Sequence, residues 1–396
     1  MNIAMLSYHT CPLATLGGKD TGGMNVYVAE LTRHLGKHGV HVDVFTRSQD
    51  EHVPHVLHNL GYGNRVVHIP AGPEFPLPKQ QLVEHIPQFV ENIQHFADTK
   101  GLKYDLVHCH YWMSGVAADL MKETWQVPIN QRFHSLVMMK NRIARSPEEM
   151  EGHYRLYGEQ RILKLADRII AATLAEQAQL EFLYRADSSK IAIIPPGVDT
   201  SKFYPIQKDE AKAAIGMPTD GQMILFVGRI EPLKGVDTLL NALAYIQKTR
   251  NLDCCPHYLA IIGGDPEDTE QRLTREMGRI KNLSQELGLS EIVMFLGKRS
   301  QDSLPYYYSA ADVVVVPSHY ESFGMVALEA MACGTPVVAS QVGGLAFLVQ
   351  DGVTGFVVPN GEPELLGQHL IEIILDPDLR DRLGSQGAEI ARGYSW

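Results

Sequence analysis

Short apolar runs alternate with segments of helical periodicity along the whole chain. Several runs are continuously apolar, which is typical of strands buried on both faces of a parallel sheet. The predicted strands of the first half are NIAMLSY, VHVDVFT, RVVHIP, DLVHCHY, RIIAAT and KIAIIP; those of the second half are MILFVG, YLAIIGG, IVMFLG, ADVVVVP, TPVVAS and GFVVP. Segments such as MNVYVAELTRHLGKHG and VDTLLNALAYIQ predict helices between them. This alternation predicts doubly wound α/β sheets.

A break in the pattern divides the chain into two predicted domains. The segment IIPPGVDTSKFYP is rich in turn-forming residues, and a new strand-loop-helix unit begins at Met223. With 396 residues, two hydrophobic cores are expected rather than one. We predict Rossmann-like domains over 1–195 and 216–396, joined by a linker over 196–215. Because ligands of such sheets bind at the carboxyl ends of the strands, we predict a site in a cleft that both domains face.

Composition and charge limit which binding partners and which cellular compartment are expected. The formal net charge of -11 argues against binding to nucleic acid, whose phosphates require clustered Lys and Arg. The five cysteines form neither a disulfide framework nor a C-x-x-C pair. No apolar run approaches the roughly 20 residues that cross a bilayer, and the start MNIAMLSYHT has no signal-peptide pattern. We therefore expect a cytoplasmic protein with no integral membrane segment.

A glycine-rich loop follows the first predicted strand. The segment LGGKDTGGMN, residues 16–25, leads directly into a helix. Its glycines allow close approach of a ligand, and the helix N-terminus offers N–H groups to an anion. A plain flexible loop is the alternative. The spacing lacks the G-x-G-x-x-G fingerprint, which argues against a nicotinamide dehydrogenase.

Two cations lie in the loop RIEPLKG of the second half. Arg229 and Lys234 flank Pro232 just before a predicted helix. Positive charge at a helix start is unfavourable in isolation, but it becomes favourable if a diphosphate binds between the two side chains. A solvated basic loop is the alternative.

Two glutamates lie in the segment SHYESFGMVALEA. Glu321 is predicted in a loop, and Glu329 about one turn into a helix that begins near Gly324. Carboxylates accept hydrogen bonds from sugar hydroxyls, so the pair could hold two separate sugars. Two ordinary surface glutamates are the alternative.

The first half also carries polar side chains that follow strands, in HCHYWMSG after one strand and in RFHSLVMMKNR after another. His134 is predicted at a strand end with Ser135, Lys140 and Arg142 close by in sequence, while Lys79 and Arg155 are cations that could reach the same region. A lone histidine is more often structural, so spacing by itself leaves its role open.

Together these segments resemble the retaining glycosyltransferases of family 4, which have the GT-B fold. The resemblance rests on Gly22-Gly23, His134, Arg229 with Lys234, and ESFGMVALEA. It implies that Arg229 and Lys234 bind the donor diphosphate, Glu329 the ribose and Glu321 the transferred sugar. The donor-binding residues it implies are Gly23, Arg229, Lys234, Glu321, Phe323, Gly324, Met325, Val326 and Glu329. The catalytic residues it implies are His134, Arg229, Lys234 and Glu321.

The family also implies a reaction type. Configuration at the sugar would be retained by front-face attack, so no protein nucleophile is expected. The leaving diphosphate would be stabilised by side-chain cations, and no D-x-D metal site stands at a strand end. We expect neither a metal nor a cofactor, with the UDP-sugar as co-substrate.

The acceptor half resembles two branches of the family that use small phosphorylated acceptors. GGMNVYV and HYWMSG resemble the inositol-phosphate N-acetylglucosaminyltransferase of mycothiol synthesis, whereas IPAGPEFPLPKQQLVEHIPQFVENI, DTGG and HSL resemble sucrose-phosphate synthase. The acceptor-binding residues that this implies are Asn25, Lys79, Tyr111, His134, Ser135 and Arg155.

The expected reaction is therefore hexosyl transfer from UDP-glucose to fructose 6-phosphate. The alternative within the family is N-acetylglucosaminyl transfer from UDP-N-acetylglucosamine to inositol phosphate. Alternatives of other classes are a non-catalytic nucleotide-sugar binding protein and a nucleotide-sugar epimerase. A protein like glycogen phosphorylase would need a longer chain and a lysine for pyridoxal phosphate.

Overall fold

Two units, each with its own sheet, make up the computed structural model, which describes residues 1–15, 21–249, 256–265 and 275–396. The first unit contains Met1–Ala14 and Gly23–Ile194, and the second contains Thr15–Gly22 and Pro195–Trp396. Residues 16–20 of the glycine-rich loop lie outside the described residues, as do Cys254 and Cys255.

The first unit is built on an eight-stranded sheet. Its strands are β1 (Asn2–Leu6), β2 (His41–Arg47), β3 (Val56–Leu57), β4 (Arg65–Ile69), β5 (Leu106–His110), β6 (Ile129–Arg132), β7 (Arg168–Ala171) and β8 (Ile191–Ile193). Their spatial order is β3-β4-β2-β1-β5-β6-β7-β8, and only the pair of β3 with β4 is antiparallel. The central strands are buried almost throughout, as their continuous apolar runs predict.

Helices cover this sheet. They are α1 (Gly23–Lys37), α2 (Lys79–Leu82), α3 (Ile86–Lys100), α4 (Trp112–Trp125), α5 (Val137–Arg142), α6 (His153–Leu165) and α7 (Leu174–Tyr184), with 3-10 turns at Val83–His85, Pro147–Glu149 and Ser188–Lys190. The fully buried Phe89 and Phe133 belong to the core between sheet and helices.

The second unit contains a six-stranded parallel sheet in the order β11-β10-β9-β12-β13-β14. The strands are β9 (Gln222–Val227), β10 (His257–Ile262), β11 (Val293–Gly297), β12 (Val313–Val316), β13 (Val337–Ser340) and β14 (Gly355–Val358). The helices are α8 (Lys208–Ile215), α9 (Val236–Thr249), α10 (Arg275–Glu286), α11 (Leu304–Ala310), α12 (Met325–Ala332), α13 (Leu345–Leu348), α14 (Pro363–Leu375) and α15 (Pro377–Ala391), with a 3-10 turn at Pro232–Lys234.

The strand predictions are confirmed, but two strands are absent from the predicted set. One is the short β3; the other is β6, with the polar sequence INQR. Gln131 in β6 is fully buried, and its Nε2 donates to the carbonyl oxygens of Tyr111 and Arg132. A polar strand can be buried because its side chains find such partners, which hydropathy does not reveal. The predicted linker 196–215 includes α8 and falls in the second unit.

Candidate active site

In the second unit, the loops after β9 and β12 are tied together. These strands are neighbours in the sheet, so their carboxyl ends lie side by side. The backbone N–H of His319 donates to the carbonyl oxygen of Leu233 at 2.8 Å. A Cβ atom on Gly235 (φ +65) would lie 2.0 Å from the carbonyl oxygen of Pro317, so glycine permits this close approach.

This arrangement brings Lys234 and Glu321 together, although 87 positions separate them in sequence. Lys234 Nζ lies 2.6 Å from Glu321 Oε2, and both side chains are partly buried. Arg229 Nη1 lies 2.7 Å from Glu231 Oε1. The two predicted diphosphate ligands therefore each contact a carboxylate, and the first of these pairs joins two predicted site residues.

Glycines shape the loop that carries Glu321. A Cβ on Gly343 (φ +47) would lie 1.9 Å from the carbonyl oxygen of Glu321, and one on Gly344 would lie 2.5 Å from Phe323 Cα. Gly324 (φ +105) precedes α12 as its N-cap. The segment Gly343–Gly344, which the sequence reasoning did not single out, therefore supports the Glu321 loop by direct backbone contact.

Glu329 lies in the first turns of α12, as predicted, and is 6% exposed. The hydroxyl of Tyr308 donates to its Oε2 at 2.7 Å, and Gln301 Nε2 donates to its Oε1 at 3.2 Å. Glu329 is therefore not a surface glutamate but a buried carboxylate held by two polar side chains. Neither Tyr308 nor Gln301 was predicted from the sequence.

The other predicted donor-binding residues lie at or next to the N-terminal ends of α12 and α1. Phe323 is buried, and Met325 and Val326 occupy the partly exposed first turn of α12, where backbone N–H groups have no acceptor within the helix. Gly23 is exposed and begins α1 in the first unit.

In the first unit, two residues with positive φ follow neighbouring strands. Tyr111 (φ +71) comes directly after β5, and His134 (φ +61) comes two positions after β6. Side chains with a Cβ rarely adopt this conformation, and such strain concentrates at functional sites. The backbone N–H of Tyr111 donates to the carbonyl oxygen of Arg132, which holds the two strand ends together.

His134 is hydrogen-bonded to a second histidine. Its Nε2 lies 2.9 Å from Nδ1 of His110, the last residue of β5. The ring of Tyr27 packs edge-on against both imidazoles, with centroid distances of 5.5 Å to His110 and 5.3 Å to His134. Burial, with Arg132 nearby, lowers the pKa of His134 well below its ordinary value, so the imidazole is neutral at pH 7.

Arg155 is fully buried and its guanidinium is surrounded by acceptors. It donates to Glu159 Oε1 (2.8 Å), to Glu151 Oε1 (2.7 Å), and to both the carbonyl and hydroxyl oxygens of Ser135 (2.8 and 3.0 Å). Although burial alone would raise it, Arg155 and Lys140 lower the pKa of Glu151 to about 2. Arg155 therefore fixes the loop around Ser135 through hydrogen bonds of its own.

Lys79 and Arg155 approach the ring of Tyr111. Lys79 Nζ lies 5.5 Å and Arg155 Cζ 4.8 Å from the ring centroid. The structure thus brings four predicted acceptor residues together: Lys79, Tyr111, Ser135 and Arg155. Asn25 is buried on α1, where its Nδ2 donates to Thr10 Oγ1 and the carbonyl oxygen of Cys11.

Among the described residues, no group of three or more His, Cys, Asp and Glu side chains is arranged to hold a metal ion. In the same part of the chain, no helix is long and apolar enough to span a membrane.

Family models match both units. The model described as "Glycosyltransferase Family 4" matches residues 21–202, and "Glycosyl transferases group 1" matches residues 207–390. The protein is similar to D-inositol 3-phosphate glycosyltransferases from Actinosynnema mirum (40% identity, 100% of this chain, 94% of that protein) and Saccharomonospora viridis (39%, 100% and 90%). The chain is therefore a glycosyltransferase. It belongs to the family that pairs a family-4 N-terminal half with a group-1 C-terminal half.

Solved structures agree with this assignment. A sucrose-phosphate synthase from Thermosynechococcus elongatus is similar with a TM-score of 0.90 and 36% identity, over 100% of this chain and 95% of that one. Anabaena HepE, in complex with UDP and glucose, is similar in fold with a TM-score of 0.74 and 22% identity, over the same shares of the two chains. The predicted GT-B class of fold is confirmed.

Proposed function

We propose that this glycosyltransferase moves a hexosyl group from a UDP-sugar to a small phosphorylated acceptor, with retention of configuration and without a metal. The observation that carries the proposal is the grouping of Lys79, Tyr111, Ser135 and Arg155 in the first unit. In this group Arg155 is fully buried and orients Ser135, so Lys79 is the cation that would meet a phosphate monoester; an unphosphorylated sugar would offer Lys79 no negative charge.

The second unit supplies the donor side of the proposal. Lys234 and Arg229 would take up the diphosphate, where negative charge develops as the sugar leaves. When a diphosphate arrives, Lys234 would exchange part of its contact with Glu321 for the phosphate, and Glu321 would accept hydrogen bonds from the transferred sugar. Glu329 would accept hydrogen bonds from the ribose.

Because His134 is neutral at pH 7, it would act as a hydrogen-bonding partner of the donor sugar near the reacting carbon rather than as a cation. Front-face attack by the acceptor hydroxyl would need no protein nucleophile. The leaving diphosphate would take the proton of the acceptor hydroxyl.

Two acceptors are the leading candidates, and a different relative favours each. Inositol 3-phosphate is favoured by the names of the relatives at 39–40% identity. Fructose 6-phosphate, the acceptor expected from the sequence, is favoured by the sucrose-phosphate synthase at 36% identity. Both compounds have a polyhydroxylated ring and one phosphate monoester, so Lys79, Tyr111 and Ser135 would bind either, with Arg155 holding Ser135 in place.

The test measures UDP release from UDP-glucose and from UDP-N-acetylglucosamine with each acceptor. Inositol 3-phosphate, fructose 6-phosphate and the unphosphorylated compounds are compared at equal concentration. We expect turnover with one phosphorylated acceptor and at least about tenfold less without the phosphate. Equal turnover with and without the phosphate would refute a phosphorylated acceptor. UDP binding without any turnover would favour the non-catalytic alternative.

A variant that removes the positive charge of Lys79 provides a second test of the proposed acceptor site. Lys79→Met should raise the acceptor KM about tenfold and leave the donor KM nearly unchanged, because it removes one phosphate ligand. The matched control is Lys100→Met, at an exposed lysine that ends α3. A parallel rise in both KM values would contradict the role of Lys79.

A further inference from the structure

Tyr308 is a buried tyrosine on α11 whose position is fixed from two sides. Its side chain is fully buried, and its hydroxyl donates to Glu329 Oε2 at 2.7 Å. Its backbone carbonyl oxygen accepts a hydrogen bond from Thr335 Oγ1 at 2.6 Å. Thr335 follows the C-terminal end of α12, so Tyr308 bonds to α12 at Glu329 and again just beyond the helix.

The hydroxyl of Tyr308 keeps its proton. Burial, together with the negative charge of Glu329, raises the pKa of Tyr308 well above its ordinary value. A neutral hydroxyl beside a carboxylate donates a charge-assisted hydrogen bond, which is stronger and more directional than a neutral one. One oxygen of Glu329 is thereby oriented before any ligand binds.

Gln301 contacts the other oxygen of the same carboxylate. Its Nε2 donates to Glu329 Oε1, while its own Oε1 is buried without a hydrogen-bond partner among the described residues. A buried acceptor without a donor is unfavourable, and a hydroxyl group bound beside Glu329 would supply that donor. Because the amide group of Gln301 lies against the carboxylate of Glu329, the two side chains together are suited to two neighbouring hydroxyl groups, as in a vicinal diol.

We propose that Tyr308 is a positioning residue for Glu329 and that, with Gln301, it makes the site selective for nucleotides that carry the 2′,3′-diol of ribose. The inference rests on the proposed function, since it takes the nucleotide of the donor as the ligand of Glu329. Tyr308 acts through the carboxylate: without its hydroxyl, Glu329 Oε2 loses the donor that fixes it, and the carboxylate is oriented less strictly.

The test compares the binding of UDP with that of 2′,3′-dideoxyuridine diphosphate by calorimetry on the full chain. The wild-type protein should bind UDP at least about tenfold more tightly, because the dideoxy compound offers Glu329 no hydroxyl group. In Tyr308→Phe, the Kd for UDP should rise about five- to tenfold while the Kd for the dideoxy compound stays constant. The control is Tyr306→Phe, at a more exposed tyrosine of the same helix.

Each possible outcome either supports or overturns the inference. A lower preference for UDP in Tyr308→Phe, with both Kd values unchanged in Tyr306→Phe, supports the inference. An equal loss of affinity for both nucleotides shows a general structural role and overturns it, as does an unchanged preference for UDP. If the wild-type protein binds neither nucleotide, the proposed UDP-sugar donor is wrong. The inference depends on that donor and is then overturned for this separate reason. A parallel measurement of Tm shows whether Tyr308→Phe is folded.

Discussion

At the scale of the residue, the buried histidines make stability depend on pH. Burial, with Arg132 nearby, lowers the pKa of His108 to about 4 from the ordinary 6.5. Between these values the unfolded chain binds more protons than the folded chain, so the free energy of unfolding falls as the pH falls through this window. The shift corresponds to about 3 kcal/mol when complete.

The variant His108→Asn should therefore flatten the pH dependence. We expect a smaller loss of stability between about pH 6.5 and 4 than in the wild type, because a titrating group with a lowered pKa has been removed. Urea unfolding at several pH values measures the slope. His52→Asn, at a largely exposed histidine, is the control. The same slope in His108→Asn and in the wild type would contradict the assignment.

Lys234 is the residue whose loss is expected to lower kcat most. Lys234→Ala should lower kcat about 100-fold, since removing one donor at the position where charge develops costs about 3 kcal/mol. Steady-state UDP release measures this effect. Lys281→Ala, on α10, is the matched control. Near-normal turnover in Lys234→Ala would remove this residue from the proposed diphosphate site.

Arg155 is better tested through stability than through acceptor affinity. Arg155→Ala would leave the fully buried Glu159 without its ion-pair partner, which typically costs about 3–5 kcal/mol. From the sequence alone, Arg155 is predicted to bind the acceptor phosphate, so its loss should raise the acceptor KM. Because its guanidinium is buried, the loss should lower Tm as well. Arg161→Ala on the same helix removes a largely exposed arginine and should change Tm little. Equal Tm values in the two variants would contradict a structural role for Arg155.

At the scale of the element, glycine loops set the position of Glu321. Gly343→Ala would place a Cβ against the carbonyl oxygen of Glu321 and force the loop to move. We expect a loss of about 3 kcal/mol or more in stability and a large loss of turnover. Gly352→Ala is the control for backbone strain alone, since its φ is +69 and no atom lies within 4 Å of the added Cβ; it should cost about 1 kcal/mol. Similar effects of both variants would show that the contact with Glu321 is unimportant.

Strand pairing explains how these elements meet. Because β9 and β12 are neighbours in a parallel sheet, the loops that follow them share one edge, and Lys234 reaches Glu321. In the same way, β5 and β6 bring Tyr111 and His134 to one edge of the other sheet. Sequence predicts that functional residues follow strands, but not which strands are neighbours.

At the scale of the whole molecule, local and net charge act in opposite directions on anionic ligands. The net charge of -11 repels a phosphorylated acceptor, whereas Lys79 attracts it at short range. Since Coulomb energy grows as distance shrinks, the local attraction should dominate. Raising NaCl from about 0.05 to about 0.5 M should therefore increase the acceptor KM several-fold, as screening strengthens. A KM that falls with salt would show that net repulsion governs binding.

The sequence by itself determined the two α/β units, the strand segments other than β3 and β6, and the loops that carry the candidate residues, because apolar runs and turn residues are local signals. It also placed Glu329 in the first turns of a helix. Only the tertiary structure decided which side chains are hydrogen-bonded to each other: Tyr308 to Glu329, His110 to His134, and Arg155 to Glu159. Tyr308 and Glu329 are 21 positions apart, and His110 and His134 are 24 apart. Arg155 and Glu159 lie one helical turn apart, yet only the packing of α6 shows that the pair is buried. Such partners are set by strand order and helix packing, which the local pattern of hydrophobic and polar residues does not encode.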